Sequence, residues 1–250
     1  FRTPSTMEEC FVVHPDFPAY RGRMEYVCLD CGARYPGDSL LYACPQCGGV
    51  FLLENLDFER LKERDGAAWR ELFDARAATR DTALKGIFRY YELLAPLLEQ
   101  EDIVYLGEGL TPIVEAAPAL RDRVGLSFAY KNDGQNPSAS FKDRGMACAF
   151  SYLKWLCRRH EWDEVLTVCA STGDTSAAAA LYAAYVGTPL KSVVLLPHGK
   201  VTPQQLSQPL GSGATVLELP GVFDDCMKVV EHLAENYRVA LLNSKNSWRI

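Results

Sequence analysis

From residue 103 onwards, near-continuous apolar runs alternate with segments whose apolar residues recur at helical spacing. Strands are predicted over 126–131, 164–170, 190–196, 214–219 and 238–242, and helices over 140–159, 174–186, 202–209 and 223–236. A strand that is apolar throughout is buried on both faces, which is the condition of a parallel sheet between two helix layers; a one-sided sheet would alternate. The predicted fold class is therefore α/β with a parallel sheet, and ligands in such folds bind at the carboxyl ends of the strands. Residues 55–102 are predicted as a helical bridge. In its second half Leu84, Ile87, Phe88, Tyr91, Leu94 and Leu98 make one apolar stripe with Arg89 and Glu92 off it.

The first 25 residues show no periodicity and contain Pro4, Pro15 and Pro18; the lone His14 among apolar neighbours reads as a structural histidine rather than a ligand. Residues 26–54 carry a different signal. Cys28-Leu29-Asp30-Cys31 is followed, after twelve intervening residues, by Cys44-Pro45-Gln46-Cys47. Two intervening residues let both sulfurs of a pair face one point, with Gly32 and Gly48 relaxing the turns, so the two knuckles make a closed four-thiolate site. A closed site implies structural rather than catalytic Zn2+, contributing on the order of 10–16 kcal/mol to folding a segment otherwise too short to hold itself. Redox pairs, an iron–sulfur site or free cysteines are the alternatives. No thioredoxin-like βαβ pattern surrounds either pair, which favours zinc. The expected organisation is an irregular segment (1–25), a zinc ribbon (26–54), a helical bridge (55–102) and an α/β region (103–250).

Composition narrows the classes. Among 250 residues 48% are hydrophobic and 23% charged, no apolar run approaches the roughly 20 residues of a membrane span, and no signal peptide opens the chain. A net charge of −6 argues against a large nucleic-acid footprint, and so against the ribbon as a nucleic-acid module. Four of the nine cysteines sit in the two pairs and the rest in apolar segments, which points to a reducing, cytoplasmic compartment. The chain starts at Phe1 and stops at Ile250 directly after a strand-like run, as a fragment of something longer would, with its α/β region incomplete at the C-terminal end.

Three loops in the alternating region carry the candidate chemistry. Asn136-Pro137-Ser138-Ala139-Ser140-Phe141-Lys142-Asp143-Arg144-Gly145 is a polar turn breaking into a helix, with Ser140 as N-cap and Phe141 opening an apolar face continued by Ala149, Phe150 and Leu153. Lys142 is out of place there, because a helix N-terminus favours anions over an ammonium. It is either a solvated surface lysine or the amine that carries an aldehyde cofactor beside a bound anion. Ala170-Ser171-Thr172-Gly173-Asp174-Thr175-Ser176 ends a buried strand and opens a helix, and its glycine and hydroxyls suit either an anion or an ordinary cap. Asn243-Ser244-Lys245-Asn246-Ser247-Trp248-Arg249 follows the last strand. There is no G-x-G-x-x-G after a strand and no Walker A sequence, since Gly199-Lys200 is followed by Val201.

In combination these segments resemble a known family. The ribbon, Leu106-Gly107-Glu108-Gly109-Leu110-Thr111-Pro112, the lysine motif, Ser171–Thr175, Leu196-Pro197-His198-Gly199-Lys200 and Asn243–Asn246 occur in the order expected of threonine synthases, within the fold type II pyridoxal-phosphate enzymes (tryptophan synthase β-like). The resemblance implies a pyridoxal 5'-phosphate enzyme converting O-phosphohomoserine and water to threonine and phosphate, with Lys142 holding the cofactor and moving protons. It implies Phe141 against the cofactor ring, Asp174 near its 3′-oxygen, Ser171 and Thr172 on the substrate carboxylate, and Thr175, Ser244 and Arg249 on the substrate phosphate. It leaves a homodimer open. One departure stands out: the family's Gly-Gly-Asn-x-Gly cup for the cofactor phosphate is absent, so a chain ending at Ile250 is expected to bind the cofactor poorly and a longer one to carry the cup beyond it. Rival readings are cysteate synthase, a threonine or serine dehydratase, and a non-catalytic zinc-ribbon protein.

Overall fold

The computed structural model describes residues 16–250. The proposed structural role of His14, with most of the irregular segment, lies outside the described residues, and 16–23 run without regular structure. Strands β1 (Met24–Cys28), β2 (Arg34–Pro36) and β3 (Phe51–Asn55) then form an antiparallel sheet in the order β2-β1-β3. Its inner face carries Met24, Tyr26 and Cys28, which alternate with half-buried positions as a one-sided strand should.

Helices α1 (Phe58–Leu61) and α2 (Gly66–Ala78) follow, with the Asp65 carboxylate accepting from the Ala68 N–H at 2.8 Å to cap α2. The predicted stripe over 84–98 is not one helix. It is built from 3-10 turns at Thr82–Leu84 and Gly86–Tyr90 and the single turn α3 (Tyr91–Leu94). Gly86 breaks the helical path at φ +56, where a Cβ would stand 2.7 Å from the Glu108 carbonyl, and Ala95 leaves it before Pro96. The apolar reading still identifies the core, because Leu84, Phe88, Tyr91 and Leu98 are fully buried. Arg76 and Glu92, both buried, pair bidentately at 2.7 and 2.6 Å and tie α2 to this segment.

Next come β4 (Ile113–Glu115), α4 (Pro118–Val124) and β5 (Ala129–Lys131). The strand predicted at 126–131 shortens to β5, pairs antiparallel with β4 and lies outside the main sheet. Its residues are exposed, so an apolar run here does not mark a buried strand. The remaining elements are α5 (Lys142–His160), β6 (Val165–Ala170), α6 (Asp174–Val186), β7 (Leu190–Pro197), α7 (Pro203–Gly211), β8 (Thr215–Leu219), α8 (Phe223–Asn236) and β9 (Val239–Leu241), close to their predicted bounds. The four strands β8-β7-β6-β9 form one parallel sheet. Residues alternate between its faces: Val165, Cys169, Ala240 and Leu242 join α5 and α6, while Val168, Ala170, Val239 and Leu241 join Cys226 and Val230 of α8.

The largest core cluster runs without interruption from the ribbon through Phe88 and Tyr91 to α5 and the end of the chain at Trp248. No helix among the described residues is long and apolar enough to cross a membrane.

Candidate active site

The parallel pairing of β6 with β9 places their carboxyl ends side by side. Asn243 closes that junction: its buried amide accepts from the Ala170 N–H at 3.0 Å and donates to the Ala170 carbonyl at 2.7 Å, imitating one more rung of the sheet. Asn246 shapes the loop beyond by donating to the Leu241 carbonyl and accepting from the Trp248 N–H. The third loop reaches them through α5. The N-cap position of α5 falls at Phe141, which makes no side-chain cap bond, rather than at Ser140; Ser140 lies one residue earlier, accepts from the Lys142 N–H at 3.3 Å and donates to the Asp174 carboxylate at 2.9 Å, so it ties the approach to α5 to the start of α6. A Cβ added at Gly145 would overlap the Arg249 carbonyl, and it is this missing side chain that lets the last loop lie against α5.

Phe141, Lys142, Arg144, Gly145, Ser244, Arg249 and Ile250 line a cavity of about 450 Å³ at this meeting point. Phe141 does not open the buried face of α5; its ring is exposed, and the Lys142 ammonium stands 4.4 Å from the ring centroid. The apolar face begins one turn later at Met146 and Ala147. Arg249 is half-buried and donates to the Thr175 hydroxyl at 3.1 Å. Burial pushes its guanidinium below the usual range, the sign of a charge short of compensation. Among the described residues no carboxylate pairs with Arg249 or Lys142, whereas the neighbouring Arg144 is held by Asp133 and Lys245 by Glu231. Two uncompensated cations beside one cavity make an anion site with an amine next to it. Ser171 and Thr172 are half-buried in the adjoining loop but do not line that cavity; the Ser171 hydroxyl accepts from the Gly173 N–H at 3.3 Å.

Several residues that hold this geometry escaped the sequence reading. Arg144 donates to both oxygens of Asp133 at 2.9 and 2.8 Å and reaches the Gly109 carbonyl, fastening α5 to the turn at 107–112. That guanidinium holds the Asp133 carboxyl well below the usual carboxylate range, helped by the Thr111 hydroxyl. Asp143 is fully buried and accepts from the N–H and hydroxyl of Ser138 at 2.8 and 2.7 Å, while burial raises its carboxyl above the usual range. Between them Ala139 takes φ +63, a left-handed conformation that costs a residue with a Cβ about 1–2 kcal/mol. The approach to Lys142 is thus bent and pinned from both sides. The signal for these residues was their place beside Lys142, in positions with no periodic pattern to explain.

In the ribbon, the Sγ atoms of Cys28, Cys31, Cys44 and Cys47 lie within 4.8 Å of one another, a group that can hold a metal ion and is compatible with zinc. Gly32 and Gly48 sit at φ +72 and +76, and their N–H groups bond the Cys28 and Cys44 carbonyls to close the two knuckles.

Residues 104–250 match the pyridoxal-phosphate dependent enzyme family. Among curated proteins, a threonine synthase of Methanocaldococcus jannaschii is 38% identical over 225 residues, covering 89% of this chain and 50% of that protein. A threonine synthase of Synechocystis is 42% identical over 168 residues, covering 66% of this chain and 42% of its own length. The chain thus spans about half the length of the curated relatives it matches. Among solved structures, threonine synthase from Escherichia coli superposes with a TM-score of 0.64 at 19% identity over 90% of this chain and 51% of that one, a likeness of fold.

Proposed function

The chain belongs to the pyridoxal-phosphate dependent enzymes, and from that premise we propose that it serves a threonine synthase, which converts O-phosphohomoserine and water to threonine and phosphate. Pyridoxal phosphate, when bound, supplies an aldehyde for a lysine amine and a ring that withdraws electrons from the substrate α-carbon. Lys142 is the residue suited to hold it: its amine has no carboxylate partner among the described residues and faces the cavity. With its amine free, Lys142 would carry protons at the substrate α and β carbons. The Phe141 ring, whose centroid is 4.4 Å from the same amine, would lie against the cofactor ring.

The observation that carries the substrate assignment is Arg249. A half-buried guanidinium with no carboxylate partner among the described residues and a hydroxyl at 3.1 Å is arranged for a dianionic oxyanion, to which a planar fork can donate two bonds. Thr175 and Ser244 add hydroxyls to the same phosphate. Ser171 and Thr172 would take the substrate carboxylate at the start of α6, and Asp174, whose carboxylate accepts from Ser140, would contact the cofactor's 3′-oxygen. The division into ribbon (26–54), bridge (55–102) and catalytic region (103–250) belongs to the same proposal. So does a cytoplasmic location, which suits the buried free thiols of Cys148, Cys157, Cys169 and Cys226.

The test uses the whole cofactor-loaded protein. Phosphate release is expected from O-phosphohomoserine, with Arg249→Gln raising KM by about 10- to 100-fold, the usual worth of a charge-assisted bond. Release from O-phosphoserine instead would transfer the site to a cysteate-type reaction, and no borohydride-reducible absorbance on Lys142 would remove the enzyme reading altogether.

A further inference from the structure

The ribbon reaches the loop that carries Arg249 directly rather than through the bridge. Tyr26, on the inner face of β1 two residues before Cys28, is buried, and its hydroxyl accepts from the Trp248 indole N–H at 2.8 Å. The same hydroxyl donates to Tyr152 of α5 at 3.2 Å, and Tyr152 in turn donates to the Gly37 and Ser39 carbonyls of the ribbon at 2.9 and 2.8 Å. Trp248 stacks on Tyr152 with ring centroids 4.2 Å apart. One residue earlier, the Ser247 hydroxyl donates to the carbonyl of Phe51 at 3.1 Å, and Phe51 is the residue of β3 paired with Cys28. Residues 247 and 248 are therefore held by the two strands that end at the cysteine knuckles. Arg249 follows with its carbonyl against Gly145 and its N–H on the Asn246 carbonyl, so a fixed Trp248 fixes the backbone from which the guanidinium reaches the Thr175 hydroxyl.

We propose that the cysteine ribbon is the positioning element of the anion site: Tyr26 and the Phe51 carbonyl hold Trp248 and Ser247, and through them set where the Arg249 guanidinium stands. The inference rests on the reading of Arg249 as the phosphate-holding residue. It makes Tyr26 a positioning residue, remote from the reacting atoms, and gives the ribbon a part in substrate affinity beyond its own stability. A ribbon that only thickened the core would need no more than apolar contacts at Trp248. Besides these, the indole has a buried hydrogen bond whose loss leaves its N–H without an acceptor, a defect that burial makes costly and that a shift of the loop would relieve.

The experiment compares Tyr26→Phe, Arg249→Gln and the double variant in the whole protein, cofactor-loaded. Binding of inorganic phosphate is read by calorimetry and turnover of O-phosphohomoserine by phosphate release. Tyr26→Phe keeps the ring and the knuckles and is expected to weaken phosphate binding and raise KM about fivefold, with kcat within twofold and the cofactor absorbance unchanged. In the Arg249→Gln background the same change is expected to add nothing, since the group it positions is gone. Unchanged phosphate affinity in Tyr26→Phe overturns the proposal, and so does an equal loss in both backgrounds, which would mean general loosening. If Arg249→Gln alone leaves phosphate binding intact, the anion role of Arg249 fails first and the positioning role fails with it; a strong effect of Arg249→Gln beside none of Tyr26→Phe removes only the ribbon's part.

Discussion

Lys142 and Arg249 come to the same cavity by different routes, and only one of them is conspicuous in the sequence. Lys142 stands at a helix start, where an ammonium is disfavoured, and so asks for an explanation from position alone. Arg249 is unremarkable in a polar loop; what marks it is partial burial without a carboxylate partner among the described residues. Arg144 looks like a third candidate but is bound to Asp133 and is a fastener. That pair sets a pH dependence. Because the folded Asp133 carboxyl is depressed, its contribution to stability is present above the ordinary carboxylate value of about 4 and is lost as pH falls below it. Urea midpoints measured from pH 6 down to pH 3 should therefore fall, and Asp133→Asn should flatten that decline while lowering the midpoint at pH 6. An undiminished slope in the variant would show that other carboxylates carry it.

At the level of elements, α5 does two things at once. Its N-terminus presents Lys142, and its first turns accept the loop of Arg249 at Gly145, where any side chain would meet the Arg249 carbonyl. Gly145→Ala is therefore expected to push that loop away even though alanine is the better helix former by about 1 kcal/mol. Phosphate affinity should drop by about tenfold or more, with the helix content from circular dichroism unchanged; equal affinity would show that the backbone makes room for the methyl group without moving the Arg249 guanidinium. Element boundaries were legible where burial and period agree, as in α8 and β6. They were misread where a contact elsewhere in the chain decided them. Glu108 makes a glycine necessary at Gly86 and so breaks the 84–98 stripe, and β5 pairs with β4 outside the parallel sheet.

For the whole molecule, the four-sulfur cluster and the candidate active site are parts of one core, since the main cluster contains Cys28 and Cys44 together with Met146 and Trp248. A ribbon of strands three to five residues long has too little apolar surface to close alone, so a metal on its cysteines contributes folding energy to the rest. Chelation should lower the melting temperature by about 10 °C or more, corresponding to a loss of several kcal/mol, and restored zinc should recover it. A melt indifferent to chelator would count against a resident metal.

The sequence alone determined the alternation of strands and helices, the two cysteine knuckles and the order of the loops, because each rests on spacing within a few residues and on burial that period reveals. It also singled out Lys142, whose position conflicts with the local field. Only the tertiary structure decided that β6 and β9 are neighbours, that Asn243 joins their ends, and that Tyr26 bonds Trp248 across 222 residues of chain. It decided as well which cations are spent on structural carboxylates and which stand free beside the cavity. The physical reason is the same in each case: hydrogen bonds and charges are satisfied by whatever the fold brings near, and nothing local in the sequence records that partner.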